Sequence, residues 1–293
     1  MYRREVWNVF RKYNKPDSQV LLLPSIEGLE IELAKAKGFC TSNMHVVDYN
    51  PAIVAHLKRR YPYVNTYGVS AARACERIAK TGKRLLAANF DFTGCISAAT
   101  VKEITQITES QVFAPVSCIA VNLLRGREPK CVSSFWTAVL QFQKKHCSQD
   151  RWLTNATDTL FECSSDLEGL TENDLVRIQM MVSLFNAGRI ARAGVYKSAN
   201  GTQTMLWAVL IRVDESVLMA DTPEAERAGI RQIFRTWRIH REMINYSVTH
   251  AIDWTQPMSY YAFLAENSDR ISEEDRAWIQ SLKSECRSDG GQP

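Results

Sequence analysis

The stretch VLLLPSIEGLEIELAKAKG (20–38) decides the fold, because it passes from a short apolar run through a turn into a helical pattern. A second apolar run, MHVV (44–47), ends at Asp48 after this helix, and a later one, RLLAANFDF (84–92), follows two further helical patterns. Short apolar runs that alternate with helical segments are typical of βαβ units, whose strands pair in parallel.

The same alternation extends outward from this stretch and predicts the remaining elements. Helices are expected over residues 1–13, 29–37, 51–60, 72–82, 101–113, 133–146, 172–188, 224–244 and 272–285, and strands over 19–23, 44–47, 64–69, 84–92 and 116–124. Residues 191–198 and 202–213 flank an Asn-Gly turn, the signature of an antiparallel hairpin. The predicted fold is therefore α/β, a doubly wound and mostly parallel sheet with a terminal antiparallel β-hairpin. We expect one domain over 1–213 and a helical C-terminal extension over 214–293.

Composition narrows the class of protein. The chain has 293 residues, 45% of them hydrophobic, which is enough to bury a substantial core. The net charge of +4 permits a nucleic-acid partner without requiring one. No run approaches the roughly 18 apolar residues of a membrane span. The eight cysteines are scattered, with no zinc-type spacing, so we expect reduced thiols, a cytoplasmic protein and no metal.

The turn after the first strand and the acid after the second strand suggest a binding site. Asp48 follows Gly28 by twenty residues, the layout of a Rossmann-type nucleotide pocket. There the turn lets the backbone approach the ligand, and the acid accepts hydrogen bonds from both ribose hydroxyls. The alternative for Asp48 is a cap on the helix that begins near Pro51, and both roles can coexist.

The order of elements over residues 16–213 resembles that of the class I S-adenosylmethionine-dependent methyltransferases. Five parallel strands, a helix and a terminal antiparallel hairpin carry the resemblance, together with the acid after strand two. It implies S-adenosylmethionine as the cofactor and the following binding residues: Pro24, Ser25, Glu27, Gly28, Asp48 and Asn50. The family's first motif is rich in glycine, whereas Gly28 is the one glycine of PSIEGLE (24–30). The alternative for this segment is a plain turn that needs one glycine.

The segment NFDF (89–92) is the sharpest local feature of the resemblance. Members of this family that methylate exocyclic amines carry a D/N-P-P-aromatic tetrapeptide after the fourth strand. NFDF keeps the polar Asn89 and the aromatic Phe92 but lacks both prolines. A second register begins at Asp91 and gives DFTG, similar to the D-P-F-G of guanine-N2 tRNA methyltransferases. In either register Asn89 or Asp91 would face the methyl group and Phe92 would stack on the substrate ring. The alternative is a degenerate site, or polar groups that cap the next helix.

Two sets of arginines are candidate phosphate ligands. Arg125 and Arg127 follow the fifth strand, and Arg231, Arg235 and Arg238 lie on one face of the predicted helix 224–244. The alternative for each set is a solvated surface. The aromatic-rich segment 246–264 is expected to pack in the core rather than stack on bases.

The predicted function is methyl transfer from S-adenosylmethionine to an amino group of a nucleic-acid base, with DNA or RNA as partner. The alternative is a catalytically inactive protein that keeps the fold and binds nucleic acid or a protein partner. A nicotinamide-dependent enzyme is disfavoured, because the first turn lacks the second and third glycines of that site. We expect no membrane partner.

Overall fold

The computed structural model describes residues 2–92, 94–126, 128–146, 169–198, 201–221 and 223–285. These residues include a seven-stranded sheet with the strand order β3-β2-β1-β4-β5-β7-β6. Its strands are β1 (Gln19–Leu22), β2 (Met44–Val47), β3 (Asn65–Tyr67), β4 (Leu85–Asp91), β5 (Phe113–Leu124), β6 (Arg189–Lys197) and β7 (Thr204–Val213). Strands β1 to β5 pair in parallel, and β7 runs antiparallel to both β5 and β6. The predicted sheet and its terminal hairpin are confirmed.

Helices cover both faces of the sheet, as a doubly wound fold requires. They are α1 (Tyr2–Tyr13), α2 (Leu29–Ala36), α3 (Pro51–Arg60), α4 (Ala71–Lys80), α5 (Ala98–Glu109), α6 (Lys130–His146) and α7 (Glu172–Phe185). On one face α1, α2 and α3 bury Trp7, Ile31 and Leu57 against the sheet. On the other face α4, α5 and α7 bury Ile78, Ile104 and Phe185. Each crossover therefore shields one side of the parallel strands from water.

The C-terminal part is helical and packs into the second of these cores. It comprises α8 (Glu215–Asp221), α9 (Glu224–His250), α10 (Pro257–Glu266) and α11 (Glu273–Glu285). Trp254, Tyr260 and Phe263 are almost fully buried and belong to the same apolar cluster as the helices on that face of the sheet. The aromatic segment 246–264 is thus packed in the core, as expected. None of the described helices is long and apolar enough to cross a membrane.

Several predicted boundaries are wrong, and the helices α8 and α10 were not predicted. One of the boundaries lies where a helix passes into a strand. We expected a helix over 101–113, but α5 ends at Glu109, and Gln111 adopts a left-handed φ of 54°. The next residues, Val112 and Phe113, are buried, and Phe113 pairs with Leu85 at the start of β4. These apolar residues match the periodicity of the helix in sequence, but they belong to the strand because the sheet core covers them.

The turn into α2 depends on Gly28. This residue has a φ of 68° and a ψ of 25°, in the left-handed region that a residue with a Cβ rarely adopts. A Cβ built at Gly28 would lie 2.7 Å from the Tyr61 ring, closer than side chains can approach. The glycine is therefore required both by the backbone conformation and by the tyrosine that packs on it.

We expect Gly28→Ala to lower the free energy of unfolding by roughly 2–3 kcal/mol, about 1 kcal/mol from the left-handed backbone and the rest from the clash with Tyr61. Gly82→Ala is the matched control, because Gly82 has a φ of 79° but no atom within 4 Å of its Cβ position. Urea denaturation of both variants measures the difference. Equal destabilisation would show that Tyr61 does not restrict position 28.

The start of α7 is fixed by a buried carboxylate. Asp174 is completely buried and forms a capping box with Thr171. Arg125 donates two hydrogen bonds to its carboxylate, at 2.9 and 2.7 Å, and Arg177 donates a third at 3.2 Å. Arg177 also pairs with Glu128 at 2.6 Å. Burial favours the neutral acid, but hydrogen bonds from Thr171 and Arg125 outweigh it and lower the pKa of Asp174.

We expect Asp174→Asn to cost about 3 kcal/mol at neutral pH, because it leaves two arginines beside a neutral group. Since the folded pKa of Asp174 lies below the ordinary value, the advantage of the wild-type protein is fully present above about pH 4. It declines as the pH falls through the folded pKa. Urea denaturation between pH 7 and pH 3 measures this, with Asp17→Asn at an exposed acid as the control. A difference that stays constant over this range would contradict the assignment.

Candidate functional site

A cavity of about 470 Å³ opens at the carboxyl ends of β1, β2 and β4. This is the point at which the strand order reverses around β1, where open α/β sheets bind their ligands. The lining residues that concern the site are Arg3, Pro24, Ser25, Leu29, Glu30, Asp48, Tyr49, Asp91, Phe92 and Glu103. Its volume falls within the range of small-molecule sites.

The loop after β1 contributes part of its predicted residues to this cavity. Pro24 and Ser25 line it, whereas Glu27 is exposed and Gly28 is not among the lining residues. Ser25 hydrogen-bonds the Glu27 carboxylate and lowers the pKa of Glu27. The carbonyl of Glu27 accepts a hydrogen bond from Arg60 at 3.0 Å, which holds the loop against the end of α3.

The loop after β2 places Asp48 in the cavity and Asn50 outside it. Asp48 Oδ1 accepts a hydrogen bond from the Asn50 amide at 2.7 Å, and the half-buried Asp48 lines the cavity. Asn50 is the N-cap of α3, because its side-chain oxygen accepts from the Ala52 amide at 3.0 Å. Asp48 thus stabilises the loop, whereas the capping role considered for it belongs to Asn50. A role of Asn50 toward the cofactor stays a prediction.

The position of strand β4 distinguishes the two polar residues, Asn89 and Asp91, with which the candidate tetrapeptide could begin. Asn89 and Asp91 point to the face of α1 and α2, and Phe90 and Phe92 point to the opposite face, where their rings stack at 5.8 Å. Asn89 is only 4% exposed and hydrogen-bonds Glu30, which lies on the same face. Asp91 and Phe92 line the cavity. Of the two polar groups, Asp91 is the one that a ligand in the cavity would meet.

A buried acid that the sequence analysis missed lies at the base of the cavity. Glu30 is 4% exposed; its Oε2 accepts a hydrogen bond from the Trp7 indole at 2.6 Å, and its Oε1 forms an ion pair with Arg3 Nε at 2.8 Å. Burial raises the pKa of Glu30, and the hydrogen bond from Trp7 and the charge of Arg3 oppose this shift. Its signal in the sequence is an acid on the buried stripe of α2, one residue before the buried Ile31 and four before Ala34. Arg3 has no comparable signal, because it precedes the first strand.

The cavity is acidic overall. Of the described residues that line it, four are acids (Glu30, Asp48, Asp91 and Glu103) and one is a cation, Arg3. Glu103 is held in place because its Oε1 accepts a hydrogen bond from the Ala71 amide at 3.1 Å. Such a lining favours a ligand that carries positive charge. Among the described residues, no group of three His, Cys, Asp or Glu side chains is arranged to hold a metal ion.

The arginines predicted to bind phosphate have different surroundings. Arg125 pairs with the buried Asp174, and Arg235 pairs with Glu274 and Asp275 of α11. Arg231 and Arg238 are exposed on α9. Residue 127, the other predicted arginine of the β5 loop, lies outside the described residues. The predicted stripe on α9 is therefore divided, because one of its members holds two helices together and two face solvent.

Comparisons with known proteins find distant structural similarity and no match in sequence. No protein-family model matches the sequence, and no curated protein matches it. Solved structures that match include an rRNA methylase from Streptococcus thermophilus (10% identity, 72% of this chain and 95% of that chain, TM-score 0.36). A second is a SAM-dependent methyltransferase from Agrobacterium tumefaciens (12% identity, 71% of this chain and 60% of that chain, TM-score 0.40). A third is the 1,6-didemethyltoxoflavin-N1-methyltransferase of Burkholderia thailandensis (11% identity, 72% of this chain and 78% of that chain, TM-score 0.40). At these values the likeness carries no argument, and the fold assignment rests on the strand order and on the antiparallel pairing of β7 with β5 and β6.

Proposed function

We propose that this protein is an S-adenosylmethionine-dependent methyltransferase that acts on an amino group of a nucleic-acid base. The observation that carries the proposal is the acidic cavity at the switch point of the sheet, with Asp48 at the end of β2 and Asp91 at the end of β4. The cofactor carries a sulfonium and an ammonium group, and the four carboxylates of the lining are complementary to both charges.

The residues of the cavity fit this cofactor by chemical type. Asp48 offers a carboxylate to the two ribose hydroxyls, and Pro24 and Ser25 form the adjacent wall. Arg3 and Glu30 supply a cation and an anion close together, which suits an amino-acid group with both charges. When bound, the cofactor supplies an electrophilic methyl group. The residues of the chain bind the cofactor and the acceptor and orient them relative to each other.

The acceptor side of the proposal rests on Asp91 and Phe92. Asp91 would accept a hydrogen bond from the N–H of the substrate amine and so aim the nitrogen lone pair at the methyl group. Phe92 would hold the ring that bears the amine. No strong base is needed, because the nitrogen releases its proton to solvent as it takes the methyl group.

A nucleic-acid substrate is supported by charge more than by a defined groove. Arg231 and Arg238 are exposed on α9, and the chain has a net charge of +4. Arg125 and Arg235 are engaged in ion pairs, so we assign them a structural part in the proposal. DNA or RNA remains the proposed partner class.

A second candidate function, favoured by the turn at Gly28, is an inactive binding protein with this fold. Gly28 packs against Tyr61 and does not line the cavity, so the loop after β1, as the structure describes it, brings no glycine to the cavity wall. This candidate requires that the cofactor not bind, which separates it from the first.

We expect calorimetric titration to show micromolar binding of S-adenosylmethionine and S-adenosylhomocysteine to the purified protein. Asp48→Ala should weaken binding about tenfold to hundredfold, because two hydrogen bonds to an ionised acceptor are lost. The control is Asp269→Ala, an exposed aspartate that does not line the cavity. If the folded wild-type protein gives no binding heat at two temperatures, the methyltransferase proposal fails and the binding protein is favoured.

We expect methyl transfer from labelled S-adenosylmethionine to single-stranded RNA or DNA, and loss of about a hundredfold in kcat on Asp91→Ala. Nucleoside mass spectrometry after digestion would identify the product as an N-methylated base. Phe92→Leu should raise the KM for nucleic acid more than it lowers kcat, since it removes the stacking surface. If Asp91→Ala were as active as the control variant Asp269→Ala, the role of Asp91 toward the acceptor amine would be contradicted. An O-methylated or C-methylated product would contradict the amino target.

A further inference from the structure

Asn122 on β5 is the direct neighbour of Asp91 in the sheet. The two residues are paired across β4 and β5, and Asn122 Nδ2 donates to Asp91 Oδ1 at 2.6 Å. The same Nδ2 atom donates to the Tyr196 hydroxyl at 2.7 Å. Asn122 is 2% exposed and does not line the cavity, so a ligand in the cavity would contact Asp91 and not Asn122.

Tyr196 is fixed in turn by the first residue of α1. The rings of Tyr2 and Tyr196 stack with centroids 4.4 Å apart and planes inclined by 12°, and their hydroxyls are hydrogen-bonded to each other. Tyr2 also lies 6.2 Å from the ring of Trp207 on β7. Burial raises the pKa of both tyrosines, so their hydroxyls keep their protons throughout the neutral range.

The chemistry of Asp91 settles the orientation of the Asn122 amide. An ionised carboxylate only accepts hydrogen bonds, so the NH₂ group of Asn122 must face Asp91. With one hydrogen directed to Asp91 and one to Tyr196, rotation of the amide would break both bonds. The Oδ1 atom is buried and accepts no hydrogen bond among the described residues. The cost of the unsatisfied carbonyl offsets part of the stability that the two donated bonds contribute, so the clearest effect of the amide is to fix Asp91 and Tyr196 relative to each other.

We propose that Asn122 is a positioning residue for Asp91, and that Tyr196, held by Tyr2, locks the Asn122 amide so that Asp91 faces the acceptor in one orientation. The first turn of α1 thereby belongs to the active site, since it supplies Tyr2 to the hydrogen-bonded series Tyr2–Tyr196–Asn122–Asp91 and Arg3 to the cavity wall. The expected effect on kcat rests on the proposed function, whereas the hydrogen bonds that join Tyr2, Tyr196, Asn122 and Asp91 do not.

The hydrogen bonds of Asn122 are tested first, in an experiment that does not depend on enzymatic activity. It measures hydrogen exchange of asparagine side chains in the ¹⁵N-labelled full-length protein. The Asn122 signal is assigned by its loss in Asn122→Ala. We expect its NH₂ protons to exchange at least tenfold more slowly than those of the exposed Asn173. Tyr196→Phe, which keeps the ring stack, should remove most of this protection. Unprotected Asn122 protons in the wild-type protein would overturn the proposal whatever the activity.

The kinetic test separates positioning from a structural role. We expect Tyr196→Phe to lower kcat about tenfold, and Asn122→Ala or the isosteric Asn122→Asp to lower it further, with cofactor affinity unchanged by calorimetry. The double variant Asn122→Ala and Asp91→Ala should be no slower than Asp91→Ala alone, because Asn122 has no carboxylate left to position once Asp91 is removed. The control is Tyr246→Phe, which should leave kcat unchanged. It removes the hydroxyl of a buried tyrosine that is hydrogen-bonded to Glu266, and neither residue lines the cavity.

Two results would overturn the positioning role. One is full kcat in Tyr196→Phe and Asn122→Asp when the wild-type protein is active. The other is additive losses in the Asp91 and Asn122 double variant, which would mean that Asn122 acts independently of Asp91. A wild-type protein that binds no cofactor and transfers no methyl group, yet shows a protected Asn122 amide, would instead refute the proposed function and leave the chain as a structural contact.

Discussion

The parallel pairing of β1 with β2 on one side and with β4 on the other is the constraint on which the site depends. In this register Leu22, the last residue of β1, lies opposite Val46 on β2 and Asn89 on β4. Three strands therefore end at one edge of the sheet. The chain leaves β1 toward β2 through a helix on one face, and it returns across β1 to β4 through a helix on the other face. The loops diverge at this edge, and the cavity is the space between them.

Charge is the second organising feature, because the cavity concentrates acids that must be stabilised in the absence of a ligand. Burial of a carboxylate is costly unless it is paired and hydrogen-bonded. Glu30 meets this condition through Trp7 and Arg3, and Asp48 and Asp91 are each bonded to a neighbouring amide group. The acids are therefore held in place before any ligand binds, which is the arrangement expected of a site that binds positive charge.

Strand β4 shows how one segment serves the core and the site together. Its period of two sends Phe90 and Phe92 to one face, where Phe90 also stacks on Phe185 of α7 at 5.7 Å. It sends Asn89 and Asp91 to the other face, toward α1 and α2. The aromatic side fixes the strand rigidly against the core, so the polar side has a defined position. A rigid support of this kind is what a site needs if its groups are to act by orientation.

The sequence by itself determined the order of the strands and of the helices up to α7, the terminal hairpin and part of the cavity wall formed by the loops after β1, β2 and β4. These follow from local periodicity and from the rule that parallel strands end at a common edge, which brought Pro24, Ser25, Asp48 and Asp91 together. Only the tertiary structure decided which of Asn89 and Asp91 faces the cavity, because both lie on the same face of one strand and differ only in depth. It also decided that Arg3, Glu30 and Asn122 surround the site, and that Arg235 binds α11. Such contacts join residues from 27 to 40 positions apart, and no local pattern encodes the meeting of distant side chains.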